Sequence, residues 1–162
     1  ALHIRLDQRL HIRLISHNRG DLPLTISQAL HSYFAVSDIR QVEVAELADC
    51  RYIETLEDWQ VRQQTGPLRF NGETDRIYQG LPNRLTIRDP GWQRRVCLET
   101  HGSRSAVLWN PWSDKALRLS GFAADAWQRM LCIETANVWD DCVQLAGGAS
   151  HSLGVSLWSE PL

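Results

Sequence analysis

Three side chains in this chain have the types and settings that proton transfer and hydroxyl recognition require. The first is Glu134, which ends the apolar run Met130-Leu131-Cys132-Ile133. In a strand, Leu131 and Ile133 face one way and Met130, Cys132 and Glu134 the other. A carboxylate there is either a solvated strand end or a general base in a cleft. Partial desolvation makes a Glu a stronger base than one titrating near its ordinary ~4.3. The second is His31, within Ala29-Leu30-His31-Ser32-Tyr33-Phe34. It is either a satisfied core or cleft histidine or a general acid, since imidazole titrates near neutrality. The third is Asp75, next to Arg76. It is either half of a surface ion pair or a carboxylate that accepts hydrogen bonds from hydroxyl groups such as those of a sugar.

Other chemistries find little support. His3 and His11 alternate outward on strand patterns, while His17, His101 and His151 sit in turn-like contexts, so all five read as surface or structural residues. No two histidines have H-x-x-x-H spacing. The four cysteines, Cys50, Cys97, Cys132 and Cys142, include no C-x-x-C pair. A metal site is therefore not expected, and Cys97 and Cys132 read as small core residues. There is no G-x-S-x-G, no Walker loop and no G-x-G-x-x-G, which leaves nucleophilic hydrolysis and nucleotide cofactors without a motif.

The elements that position these residues read as strands. Leu2, Ile4 and Leu6 alternate with His3 and Arg5, and the pentapeptide Leu-His-Ile-Arg-Leu recurs at 10–14. Asp7-Gln8-Arg9 is the expected hairpin connection. Further strands are expected around Val42 and Val44, from Glu73 to Tyr78, at Leu85 to Ile87, Val96 to Leu98, Ala106 to Trp109, Met130 to Glu134 and Leu153 to Trp158. Asp58 to Val61 reads as a connecting strand or loop. Ala123 to Trp127 is the expected short helical turn. Strands with turn signals every dozen or so residues predict an all-β antiparallel sandwich or barrel.

Composition fits a globular domain. The chain has 162 residues, of which 43 % are hydrophobic and 22 % charged, and its net charge is −2. There is no basic field for nucleic acid and no apolar run of the ~20 residues that a membrane helix needs. Sixteen of the seventeen Lys and Arg residues are Arg, and Lys115 is the single Lys. Seven Trp residues offer either core volume or faces for stacking on sugars. The cysteine usage and the absence of a leader pattern give a cytoplasmic setting as the expectation.

Four segments in order carry a family resemblance. Ala29-Leu30-His31-Ser32-Tyr33-Phe34-Ala35-Val36-Ser37-Asp38-Ile39 resembles the ALHxYFxVxDI segment of glucose-6-phosphate 1-epimerases, the hexose-6-phosphate mutarotases of the aldose 1-epimerase superfamily. Thr74 to Tyr78, Trp109 to Ala116 and Met130 to Glu134 are similar to the segments that follow it, and the WNPW-x-x-KA block together with ALHxYF separates this group from galactose mutarotases in general. The resemblance implies a galactose-mutarotase-like β-supersandwich with a carbohydrate cleft on its concave face. It implies interconversion of the α and β anomers of a hexose 6-phosphate without a cofactor. It assigns His31 to protonation of the ring oxygen, Glu134 to deprotonation of the C1 hydroxyl and Asp75 to binding of sugar hydroxyls.

Family members are considerably longer, and the resemblance covers only their C-terminal part. The expectation is one mutarotase-like domain over 1–162, lacking an N-terminal part that supplies a second active-site His and the Arg residues around the phosphate. From the acid–base roles, His31 and Glu134 are expected to straddle a space about one sugar ring wide, in one cleft with Asp75. An unpaired sheet edge at residues 2–6, or elsewhere, is expected to invite self-association. Two other readings stand beside the enzyme: a non-catalytic carbohydrate-binding sandwich of the same fold, and a structural fragment that pairs through its edges.

Overall fold

The repeated pentapeptide folds back on itself. In the computed structural model, which describes all 162 residues, strand β1 (Leu2–Leu6) pairs antiparallel with β2 (Leu10–His17). The register sets Leu2 against Leu14, Ile4 against Ile12 and Leu6 against Leu10, and puts His3 beside Arg13 and Arg5 beside His11. One face of the hairpin is therefore wholly apolar and the other wholly basic. The Arg9 backbone N–H donates to the Asp7 carboxylate at 2.9 Å and closes the turn.

Thirteen further strands follow. They are β3 (Leu24–Ile26), β4 (Gln28–Ala35), β5 (Glu43–Ala45), β6 (Arg51–Glu54), β7 (Gln60–Gln63), β8 (Leu68–Arg69), β9 (Thr74–Gln79) and β10 (Arg84–Asp89), then β11 (Arg94–His101), β12 (Ser105–Asn110), β13 (Met130–Asn137), β14 (Val143–Leu145) and β15 (Ser150–Pro161). A seven-stranded sheet has the order β1-β2-β15-β11-β10-β5-β8, a six-stranded sheet β4-β13-β12-β9-β6-β7, and β14 pairs with β3. Every pairing is antiparallel. The fold is an antiparallel β-sandwich.

The core fills the space between the two larger sheets. Leu85, Ile87, Leu98 and Val155 enter from one side, and Tyr78, Leu108, Leu131 and Ile133 from the other. The seven-stranded sheet continues past this core. Leu2, Ile4 and Leu6 of β1 stay 58 %, 64 % and 76 % exposed, and the outer edge of β1 has no partner strand.

The single α-helix, α1 (Trp112–Ala116), stands where the sequence shows only a strand stop at Asn110-Pro111. Its anchor is Asn110, which is fully buried. The Asn110 side-chain amide donates to the carbonyls of Trp127 and Met130 at 2.8 and 2.9 Å, and its oxygen accepts the Trp112 N–H at 2.9 Å. These bonds hold Trp112 at φ +55°, unusual for a bulky residue. The Trp112 ring packs on Trp127 with centroids 4.5 Å apart. The expected helical turn near Ala123–Trp127 lies slightly later, as a 3₁₀ turn over Ala126–Arg129. His17, His101 and His151 belong to strands and not to turns.

A second anchor fixes the end of β4. Asp89 is fully buried and accepts hydrogen bonds from the Ser37 hydroxyl and, at 3.2 Å, from the Ser37 backbone N–H. Arg94 approaches it at 3.5 Å. A Cβ at Gly91 would collide with the Ser37 side chain, so this turn needs glycine for space. These contacts tie the last turn of the six-stranded sheet's edge strand to the opposite sheet.

Candidate active site

Antiparallel register collects the candidate residues on one face of the six-stranded sheet. Residues opposite each other share a face. One cross-strand row runs His31, Glu134, Val107, Ile77 and Ile53 through β4, β13, β12, β9 and β6. The neighbouring row runs Tyr33, Cys132, Trp109 and Asp75. His31, Glu134 and Asp75, distant in sequence, therefore look out from the same surface. Asp75 stands two strands from Glu134, about 9.5 Å across the sheet and one row along.

His31 and Glu134 touch. The His31 Nδ1 lies 3.1 Å from the Glu134 Oε1, with the imidazole side chain 58 % exposed and the carboxylate side chain 14 % exposed. The gap of one sugar ring expected between them is absent. The two are direct cross-strand neighbours, and nothing separates side chains at that spacing.

The surroundings tune both carboxylates in the same direction. Burial pushes the Glu134 carboxyl above its ordinary value, the charge of His31 opposes this, and the charge of Asp75 adds to it. Burial likewise raises Asp75, Lys115 opposes it, and Glu73 and Glu54 add to it. Lys115 reaches Glu73 at 3.3 Å from α1, so the WNPW-x-x-KA block delivers the only lysine of the chain to the neighbourhood of Asp75. The sequence assigns Lys115 no role, and its visible signals are its singularity among sixteen arginines and its place in the WNPW-x-x-KA block. Arg76 does not pair with Asp75. It points to the opposite face of β9, where its Nε meets Glu54 at 2.7 Å and its guanidinium lies 4.7 Å from the Tyr52 ring centre.

Aromatic rings border the pair. Tyr33 and Trp109 meet edge to face with centroids 6.5 Å apart. Tyr33 is 62 % exposed and presents its ring to solvent beside His31. Beneath them Cys132 is fully buried, and burial pushes its thiol up to about 12. The ligand atoms of His31, Cys132 and Glu134 lie within 4.8 Å of one another. The surface can thus hold a small polyol against aromatic rings, with a carboxylate and an imidazole ready to exchange protons.

Known proteins share this arrangement of strands. A crystal structure from Salmonella typhimurium, provisionally described as a mutarotase, superposes with a TM-score of 0.89 at 24 % identity over 99 % of this chain and 53 % of its own. A second crystal structure superposes with a TM-score of 0.82 at 29 % identity over 98 % of this chain and 54 % of its own. Curated relatives from Cenchrus ciliaris and Haemophilus influenzae, both provisionally named glucose-6-phosphate 1-epimerase, are 32 % and 34 % identical over 82 % and 80 % of this chain. The chain spans 40 % and 45 % of their lengths. The model of the aldose 1-epimerase family matches residues 1–158. With that match over nearly its whole length, the chain belongs to the aldose 1-epimerase family.

Proposed function

We propose that this chain carries the acid–base pair of an enzyme that interconverts the α and β anomers of a hexose 6-phosphate. The observation that carries the reading is the 3.1 Å contact between His31 and Glu134 on an open, aromatic-bordered sheet face. A sugar that enters exchanges this contact for one bond from each partner. Glu134 takes the proton of the C1 hydroxyl while protonated His31 gives its proton to the ring oxygen, and the C1–O5 bond breaks. The C1–C2 bond rotates in the open aldehyde. The ring oxygen then attacks the other face of C1, His31 recovers its proton and Glu134 returns the other to the new C1 hydroxyl. Only protons move, so no cofactor takes part. General acid and base each contribute roughly 10²–10⁴-fold. Asp75 accepts hydrogen bonds from ring hydroxyls, and Tyr33 and Trp109 border the ring.

The phosphorylated substrate is supported by the ALHxYF and WNPW-x-x-KA segments and by the names of the relatives. On this face Lys115 is balanced by Glu73 and Asp75 and leaves little free positive charge for phosphate. We therefore propose that the chain corresponds to the C-terminal part of the longer relatives. The remainder would extend the sheets beyond β1 and β4 and cover Leu2, Ile4 and Leu6. Taken alone, the 162 residues would turn over glucose 6-phosphate weakly.

The test is α/β exchange of glucose 6-phosphate followed by NMR, with and without the chain, and with glucose as control. Acceleration that His31→Asn and Glu134→Gln abolish supports the enzyme. Binding without acceleration, in this chain and in one of the relatives' full length, supports the non-catalytic sugar-binding reading instead.

A further inference from the structure

A second concave surface lies on the opposite sheet, with the core between it and the His31–Glu134 pair. It is a trough of about 890 Å³ on the outer face of the seven-stranded sheet. The register builds it as two rows. His3, Arg13, Gly154 and His101 stand directly opposite one another across β1, β2, β15 and β11. Arg5, His11, Ser156 and Glu99 form the next row, and Arg9 pairs with Glu99 at 3.2 Å.

The lining mixes basic side chains with Leu2, Ile4, Ile12 and Val155, and its central basic members are uncommitted. No acidic side chain lines the trough. Arg5 is held at the rim by Asp7 at 2.6 Å, and His11 shares a hydrogen bond with Ser156 at 2.8 Å and meets Asp7 at 3.3 Å. His3, Arg13 and His101 have no side-chain hydrogen bond or ion pair. Gly154 opens a notch between Arg13 and His101. A Cβ there would lie 3.8 Å from the His101 Cβ, 4.0 Å from the Arg13 Cβ and 3.4 Å from the Ile12 carbonyl oxygen. Its backbone does not demand glycine, so what Gly154 supplies is room.

We propose that this trough binds a small phosphate-type oxyanion, a phosphate monoester or a diphosphate, with Arg13 as the central anchor and His3 and His101 as flanking donors. A guanidinium matches two phosphate oxygens at once. An imidazole offers an N–H in either charge state. The volume suits a small molecule. A chain with a net charge of −2 lacks the basic field that an extended polyanion needs. A ligand here is remote from the reacting sugar and adds a second binding function to the fold.

Calorimetric titration of the 162-residue chain with inorganic pyrophosphate and inorganic phosphate, at fixed salt, tests this. The unmodified chain should bind pyrophosphate, Arg13→Gln should weaken it by about tenfold or more, and His101→Asn by about threefold. Circular dichroism checks that these exposed substitutions leave the fold unchanged. Glu134→Gln should bind pyrophosphate like the parent, which separates this site from the sugar face. The proposal is overturned by absence of binding at millimolar pyrophosphate or by an unchanged isotherm for Arg13→Gln. It is equally overturned if Arg19→Gln, a charge change in a distant turn, weakens binding as much, or if a single-stranded oligonucleotide binds more tightly than pyrophosphate.

Discussion

His31 and Glu134 are register partners, and their side chains meet at 3.1 Å across β4 and β13. The pairing that holds the sheet together is therefore the same pairing that sets an acid against a base. No loop intervenes, so the distance between them is as firm as the ladder beneath.

On the proposed mechanism, replacing His31 or Glu134 should stop anomerisation and leave the sandwich folded. We expect Glu134→Gln and His31→Asn each to lower the exchange rate by about 10²-fold or more. Polarimetry on a freshly dissolved pure anomer reads the rate, and near-UV circular dichroism reads the fold. A rate equal to that of the parent for either variant removes that residue from the mechanism.

The titration of Glu134 should respond to its two charged neighbours in opposite senses. Asp75 raises it and His31 lowers it. Asp75→Asn should thus bring the Glu134 carboxyl down and move the acid limb of the activity profile to lower pH. His31→Asn should send it up. Side-chain carbon NMR titration follows the carboxyl directly in both variants, including the inactive one.

The same shifts bear on stability. A carboxyl raised in the folded state binds its proton more readily than in the unfolded chain, so stability falls as pH climbs from the ordinary carboxylate value through the folded one. Glu134 and Asp75 both act in this sense. Asp38, held down at about 2 by Arg40, acts oppositely, and its contribution is lost only as pH falls toward that value. At neutral pH, Glu134→Gln should raise the melting temperature by about 2–4 °C, the shift that ~1 kcal/mol produces in a domain of this size. The gain should vanish below the ordinary carboxylate range. A lower Tm at neutral pH would contradict the desolvation argument.

Asp89 should be among the costliest single positions. Asp89→Ala leaves Ser37 and Arg94 without their buried partner, a loss of about 3 kcal/mol. Urea unfolding should show a lower midpoint with an unchanged slope.

The thiols should sort by burial. Cys97 and Cys132 are fully buried, whereas Cys50 and Cys142 are partly exposed. Cys132 is further silenced by its raised titration point. Under native conditions iodoacetamide should modify Cys142 well before Cys132, as read by peptide mass spectrometry. Early labelling at Cys132 would mean that the floor of the site opens readily.

Periodicity in the sequence carried much of this architecture. The Leu-His-Ile-Arg-Leu repeat and the runs around Thr74–Tyr78, Ala106–Trp109 and Met130–Glu134 all form strands close to where alternation puts them. Helix α1 was not legible, because it depends on the three hydrogen bonds of Asn110 to distant backbone and not on a helical pattern. The strand β14 is too short to show a period. His101 and His151 looked like turn residues because Gly and Ser flank them, yet ladder pairing keeps both in strands. The types of His31, Asp75 and Glu134 were visible, but the contact between the first and last was not. Contact depends on which residue of β4 falls opposite Glu134, a matter of register that a one-dimensional pattern does not contain.

Strand β4 is the outermost member of its sheet, bonded to β13 on one side alone. Backbone amides on such a strand exchange with solvent through small openings that leave the rest of the protein intact. His31 rides on that strand. In the 162-residue chain, a fluctuation too slight to register as unfolding would still carry the imidazole away from Glu134, so heat should part the pair at temperatures where the core is still whole.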